Sequence, residues 1–312
     1  MTARVIAVLV ALLVAGCAAA GVGIVHSRSS SAPEPAQAFT HVHTLTHVTG
    51  IAAQDLAGFD TACRCTPNLT TRYIRWGEPA SSVNLVTDLQ HGAVPLAELE
   101  PYGVTLASIA AGDQDVYLTE FAKQVAALRT LVLMSFAPEA NNDSYPWGFK
   151  ETSSAAYVAA WRRVTNVFRK AGASSVRWVW VMNATSPTTA PLPPLWPGGL
   201  YVDYVGLDGY ATHSYTTFTS LFGPTITQAR QLSHAPILIT ETSADPDAGQ
   251  ARWLSETIAG VAADHLLGFV WFDINQVDGS DPDAPKGNRR NWSIDKDLSV
   301  LAAFRAVVNK YG

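Results

Sequence analysis

The chain has 312 residues, carries a formal charge of −5, is 48% hydrophobic and has only 15% charged residues. That length can bury one large core, and a single barrel of about 250 residues fits it as well as two smaller domains. The acidic balance excludes a nucleic-acid partner, which needs a basic face, and no run of like charge suggests an electrostatic tail.

The first 25 residues carry an address. Arg4 supplies a positive end, and Val5 to Val25 is continuously apolar or small. Within it, Val14-Ala15-Gly16-Cys17 has the form of a bacterial lipobox, in which Cys17 is lipidated and becomes the mature N-terminus. The same run is long enough for an uncleaved membrane-spanning anchor, and plain cleaved secretion is the third reading. All three export the body of the protein. Residues 26–40, rich in Ser, Pro and Ala, read as a flexible linker, and 41–312 as the folded domain. Cys63 and Cys65 could close a small disulfide ring in an oxidising compartment. They lack the neighbouring ligands of a metal site, and no metal or cofactor is implied anywhere in the chain.

From residue 46 onward, short apolar runs alternate with longer segments of helical period. The predicted strands are His47–Ala52, Arg72–Trp76, Ala93–Leu99, Leu131–Ala137, Val176–Val181, Val202–Leu207, Ile237–Thr240 and Gly268–Phe272. The clearest helix is Ser153 to Ala171. Tyr157, Trp161, Val164 and Phe168 recur there at helical spacing, with Arg162, Arg163, Arg169 and Lys170 opposite and Gly172 as a stop. Arg252 to Ala263 repeats the pattern. Strands alternating with helices predict a parallel sheet. Eight such units over about 265 residues predict an α/β fold closed as a single (β/α)8 TIM barrel. No glycine-rich phosphate loop follows the first strand, against a dinucleotide-binding sheet.

Chemistry in such a barrel sits at the carboxyl ends of the strands. Reading those ends gives Trp76-Gly77-Glu78, Glu100, Glu139, Asn183, Asp208-Gly209-Tyr210, Glu241 and Trp271. Two carboxylates in an aromatic ring of residues suit glycoside hydrolysis. One acid protonates the leaving oxygen while the other attacks the anomeric carbon. Glu139 and Glu241 close the fourth and seventh strands and are the candidate pair. Glu139 must hold its proton, and Tyr145 and Trp147 could raise its pKa by desolvation. Trp271, Trp76 and Trp147 are candidate sugar-stacking faces. Asn183 and Glu100 are candidate substrate contacts. His213 and the arginines of the eighth loop, Arg289 and Arg290, carry weaker signals.

These segments resemble glycoside hydrolase family 26, the β-mannanase family. "FAPEANNDSYPWG" is similar to the family's acid/base segment, "WPGGLYVDYVGLDGY" to its sixth strand, "PILITET" to its seventh and "GFVWFDIN" to its eighth. The resemblance implies Glu139 as acid/base and Glu241 as nucleophile. It further implies Tyr210 as the tyrosine that orients the nucleophile, and Trp271 as the floor of the cleavage subsite. The chain departs from the family at Pro138, where many members carry histidine. It departs again at Asn142 and Ser144, where glycine and tryptophan are common. The implied protein is an exported, monomeric, retaining β-glycanase tethered to the membrane by lipid or helix. Its expected substrate is β-1,4-mannan or a related β-linked polysaccharide. The altered loop leaves open a polysaccharide-binding lipoprotein without turnover, and an enzyme that trims an exopolysaccharide at the membrane is a third setting.

Overall fold

The computed structural model describes residues 45–53, 55–82, 84–277 and 290–311, all within one compact unit. Residues 1–25 with Cys17, the linker and Arg289 lie outside the described residues. Eight strands run in chain order: β1 (Val48–Ala53), β2 (Leu69–Arg75), β3 (Val94–Glu100), β4 (Val132–Phe136), β5 (Val176–Asn183), β6 (Tyr204–Ala211), β7 (Ile237–Ala244) and β8 (Gly268–Asp273). Each pairs in parallel with the next, and β8 closes on β1, with Val48 opposite Gly268 and Ala53 opposite Asp273. The predicted (β/α)8 barrel is the fold.

Helices α1 (Leu56–Cys63), α2 (Leu85–Gln90), α3 (Leu106–Ala111) and α4 (Asp115–Ala127) cover the first half. The second half is covered by α5 (Ser154–Lys170), α6 (Phe218–Leu232), α7 (Gln250–Ala263) and α8 (Leu298–Tyr311). Two departures from eight regular units are found: β3 is followed by two helices, and β5 by 3-10 turns alone. Pro191, Pro193, Pro194 and Pro197 explain the second, because proline has no N–H for an i−4 bond and its ring clashes with the preceding turn. The long α5 follows its sequence signals. The Ser153 hydroxyl accepts from the Ala156 N–H at 3.2 Å, and Arg169 and Lys170 sit at the negative end of the helix dipole.

The strands are buried on both faces, as covered parallel sheets require. One set of side chains fills the barrel: Val48, Leu69, Leu96, Leu133, Val179, Val181, Leu238 and Val270. The alternate set, including Ile51, Ile74, Leu99, Met134, Trp180, Leu207 and Ile239, packs under the helices. This parity decides which strand-end residues can reach the mouth. Away from it, Cys63 and Cys65 form a disulfide at the end of α1. Both are buried in the outer core, and Arg305 of α8 donates to the Cys63 carbonyl. The pair therefore helps seat the last helix on the first.

Candidate active site

Glu139 sits three residues past β4 on a backbone that few sequences tolerate. Ala137 and Glu139 both take positive φ, 46° and 54°, a left-handed conformation costing about 1–3 kcal/mol each for residues with a side chain. Such strain persists only where neighbours over-determine it, and here they do. The Ala137 N–H donates to the Leu99 carbonyl at 3.0 Å and the Glu139 N–H to Val181 at 3.0 Å. The Trp147 indole donates to the Pro138 carbonyl at 2.7 Å. Asn141 clamps Asn183 in both directions: its amide donates to the Asn183 carbonyl at 2.8 Å and its oxygen accepts the Asn183 N–H at 2.9 Å.

The buried Glu139 carboxyl accepts from the Asn183 amide at 2.5 Å. Burial pushes its pKa up, opposed by hydrogen bonds from Asn183, Tyr145 and Asn142. The expectation for Tyr145 is thus corrected in sign, since its hydroxyl stabilises the charged form. Trp147 is corrected too. It is buried, stacked on Tyr145 at 4.8 Å and met edge-on by Tyr102, so it braces the loop and offers no face to a sugar.

Glu241 is aimed by an irregularity in β7. The register with β6 slips between Leu207–Ile239 and Asp208–Glu241, leaving Thr240 as an extra residue. A bulge re-aims the side chains beside it, and two successive residues of β7 consequently bond groups inside the barrel. The Thr240 hydroxyl donates to Asp208 at 2.6 Å, and Glu241 accepts from two phenols, Tyr73 on Oε1 and Tyr210 on Oε2. Both phenols have pKa values pushed well up, by burial first and the Glu241 charge second, which keeps them protonated as donors. Tyr210 is itself fixed between the Phe272 edge at 5.6 Å and the Trp292 ring at 4.8 Å. The Trp292 indole is held by Gln276 at 2.9 Å.

Two further carboxyls lie below this pair. Glu98 of β3 is only 2% exposed and its Oε1 has no hydrogen-bond partner. Burial, then the charges of Glu241, Glu100 and Glu139, push its pKa well up. Asp208 is raised well up by burial and by Glu241, Glu139 and Glu98. Glu100, also buried, contributes to the field at Glu98 and Tyr145. The pair therefore faces one shared space, since Glu139 and Glu241 both act on Tyr145, Asp208 and Tyr210.

Of the residues singled out in the sequence, the fold brings Glu139, Asn183, Tyr210, Glu241 and Glu100 together. It does not bring Trp271. That side chain is 0% exposed and belongs to the core under the helices, with Phe269, while Val270 and Phe272 take the inward parity. Trp271 cannot floor a subsite, and Trp271→Ala is expected to cost about 3–5 kcal/mol of stability in denaturant unfolding. Trp76 is turned the same way. It packs on Tyr117 of α4 at 4.9 Å and donates to Gln114 at 3.3 Å. Tyr73, Glu98 and Trp292 were missed in the sequence. Glu98 was readable from its alternation with Leu96 and Glu100. Tyr73 required β2 to start at Leu69 rather than Arg72.

A parallel barrel with two buried glutamates at its carboxyl end, one fed by amide and phenol donors and the other by two phenols, is the arrangement of a (β/α)8 glycoside hydrolase. Residues 111–243, which contain Glu139, Tyr210 and Glu241, match the model of Glycosyl hydrolase family 26. Endoglucanase H of Acetivibrio thermocellus is 28% identical over 258 residues, 77% of this chain. The match spans about a quarter, 27%, of that relative's length. Among solved structures, a modular endo-β-1,4-mannanase from Cellulomonas fimi superposes with a TM-score of 0.62 at 15% identity, over 85% of this chain and 69% of the other. The family 26 β-mannanase BoMan26A of Bacteroides ovatus gives 0.58 at 16% identity, over 84% and 85%. These two share the fold.

Proposed function

We propose that this protein is a retaining glycoside hydrolase acting on β-linked polysaccharide, with β-1,4-mannan the first candidate and β-glucan the second. The observation that carries the reading is a pair of buried glutamates at the carboxyl end of the barrel, one held by two phenols and the other raised by burial. Two phenols favour the ionised form of Glu241, whereas burial raises Glu139 and favours its protonated form. Glu241 attacks the anomeric carbon as Glu139 gives its proton to the departing oxygen, leaving a glycosyl ester on Glu241. Glu139, now a carboxylate, takes a proton from the water that attacks the same carbon, and Glu241 leaves. The double displacement returns the original anomeric configuration.

The substrate candidates rest on the names of the relatives, an endoglucanase and mannanases. The setting we infer is outside the cytoplasm, with the first 25 residues, through Cys17 or as a helix, tethering a monomer to the membrane.

The test is a panel: mannan, glucomannan, mixed-linkage glucan and xylan, with reducing ends measured for the wild type and Glu241→Ala. Release from one or more substrates, lost in the variant, is the expected result. Binding without release from any of them would overturn the hydrolase reading in favour of a polysaccharide-binding barrel.

A further inference from the structure

The loop leaving β6 holds an aromatic pair that the reaction above does not use. Ala211 ends the strand, and the chain then runs through Thr212 to Thr217, the N-cap of α6. Within this loop Tyr215 is 77% exposed. A lone aromatic on a protein surface is ordinary, so exposure by itself carries nothing.

Three observations distinguish this one. Its ring lies nearly parallel to the His213 imidazole, with centroids 4.9 Å apart and planes 26° from each other. One face is therefore backed, and the other is available. The backing ring is pinned: its Nδ1 lies 3.0 Å from the Thr212 hydroxyl, and the Thr216 N–H closes a turn on the His213 carbonyl at 3.1 Å. The turn is in turn tied to α7, because the Arg252 guanidinium donates to the Thr216 carbonyl at 2.9 Å. The position matters equally. Ala211 directly follows Tyr210, whose hydroxyl donates to Glu241, so the loop continues from the strand that orients this carboxylate, at the mouth end of the barrel.

We propose that Tyr215, backed by His213, is a remote sugar-stacking platform that holds a pyranose unit of a β-linked chain beyond the point of cleavage. The chemistry fits. A pyranose presents C–H groups on its ring face and hydroxyls at its rim, so a flat aromatic can cover the first while water keeps the second. An aromatic ring offers large contact area, and a ring already held by its neighbour and its turn loses little freedom on binding. A platform outside the carboxylate pair discriminates by length: a chain too short to reach it gains nothing from it. The inference rests on the glycoside hydrolase reading.

The test separates the two. In a Glu241→Gln background, which removes turnover, the hexasaccharides and trisaccharides of β-1,4-mannan, β-1,4-glucan and β-1,4-xylan are titrated by calorimetry. The same titrations follow with Tyr215→Ala and Tyr215→Phe added. Tyr215→Ala is expected to weaken hexasaccharide binding about tenfold and leave trisaccharide binding unchanged, with Tyr215→Phe close to the background. Hexasaccharide binding that ignores Tyr215→Ala overturns the platform and spares the hydrolase reading. Equal losses for both lengths do the same, because they place Tyr215 at the cleavage point or in the fold. Failure of the folded background protein to bind any of the sugars overturns both.

Discussion

Glu241→Ala is expected to lose at least about 10⁴-fold in kcat on whichever β-glycan the wild type cleaves, because the covalent step has no substitute nucleophile in place. The neighbouring carboxyls do not replace it. Glu98 and Asp208 lie below the mouth and are held toward their neutral forms by burial, and in the proposed cycle Glu139 serves the leaving-group side. The loss alone does not prove the role, since a misfolded barrel gives the same number. The chemical signature is rescue by azide. With the carboxylate gone, a small anion can enter the space that Tyr73 and Tyr210 supply with hydroxyl donors. Attack from there, opposite the leaving group, inverts the anomeric carbon once, so a β-glycoside yields the α-glycosyl azide. A β-azide from this variant, or more than about a tenth of the wild-type rate without azide, would remove Glu241 from the nucleophile's place.

Much of this arrangement was legible before the structure, and the failures share one cause. Strand existence and order came from the alternation of apolar runs with helical periods, and every predicted strand overlaps an observed one. Glu139 and Glu241 stood out in the sequence because a carboxylate just past a buried run is conspicuous whichever face the run presents. Trp271 was misplaced because "GFVWFD" is apolar at every position. A strand buried on both faces carries no alternation from which to read parity, so the inward Phe272 and the outward Trp271 look alike. The bulge in β7 was equally hidden: nothing in "ILITETS" announces that Thr240 and Glu241 both bond inward-facing groups. Glu98 is the contrary case. Its charge breaks an apolar strand at the parity of Leu96, and that signal was available. Trp76 and Trp147 failed for a different reason, since a tryptophan near the mouth can turn outward or brace a loop, and only its partners Gln114 and the Pro138 carbonyl decide.

The buried acids also bear on how one fold assigns two roles to chemically identical side chains. Five carboxyls, Glu98, Glu100, Asp208, Glu139 and Glu241, share a barrel interior of low effective dielectric, where like charges repel strongly. After burial, the groups that most raise Glu98 and Asp208 are other carboxylates. Burial raises Glu98, Asp208 and Glu139, while two phenols donate to Glu241, where the proposed cycle places the negative charge before the first step. In the proposed cycle, ester formation consumes that charge while Glu139 releases its proton. Between Glu241 and Glu139 there is one negative charge before the first step and one after it, on the opposite carboxylate. The Asn183, Tyr145 and Asn142 donors around Glu139 stabilise the charge in that second location.

Glu139→Ala is expected to split substrates by leaving group. Hydrolysis of a natural glycan, whose departing alkoxide needs a proton, should fall by about 10²–10⁴-fold. An aryl glycoside with an acidic phenol departs without help, so its first step should be nearly unchanged. Water then attacks the ester without a base, and the aryl substrate shows a burst of phenol followed by slow turnover. Azide needs no base and should relieve that second step. It meets an α-linked glycosyl ester, so the product is the β-glycosyl azide, the opposite anomer from the one Glu241→Ala gives. The pH dependence follows from the direction of the shift. In the proposed cycle Glu139 acts as an acid, and burial raises its pKa, so the wild-type kcat/KM on glycan should hold at pH values where an ordinary carboxyl has lost its proton, then fall as pH rises through the shifted value. In Glu139→Ala this alkaline limb should vanish from the residual kcat/KM on glycan. Equal losses on glycan and aryl substrate, or an alkaline limb that survives the substitution, would assign the proton to another group.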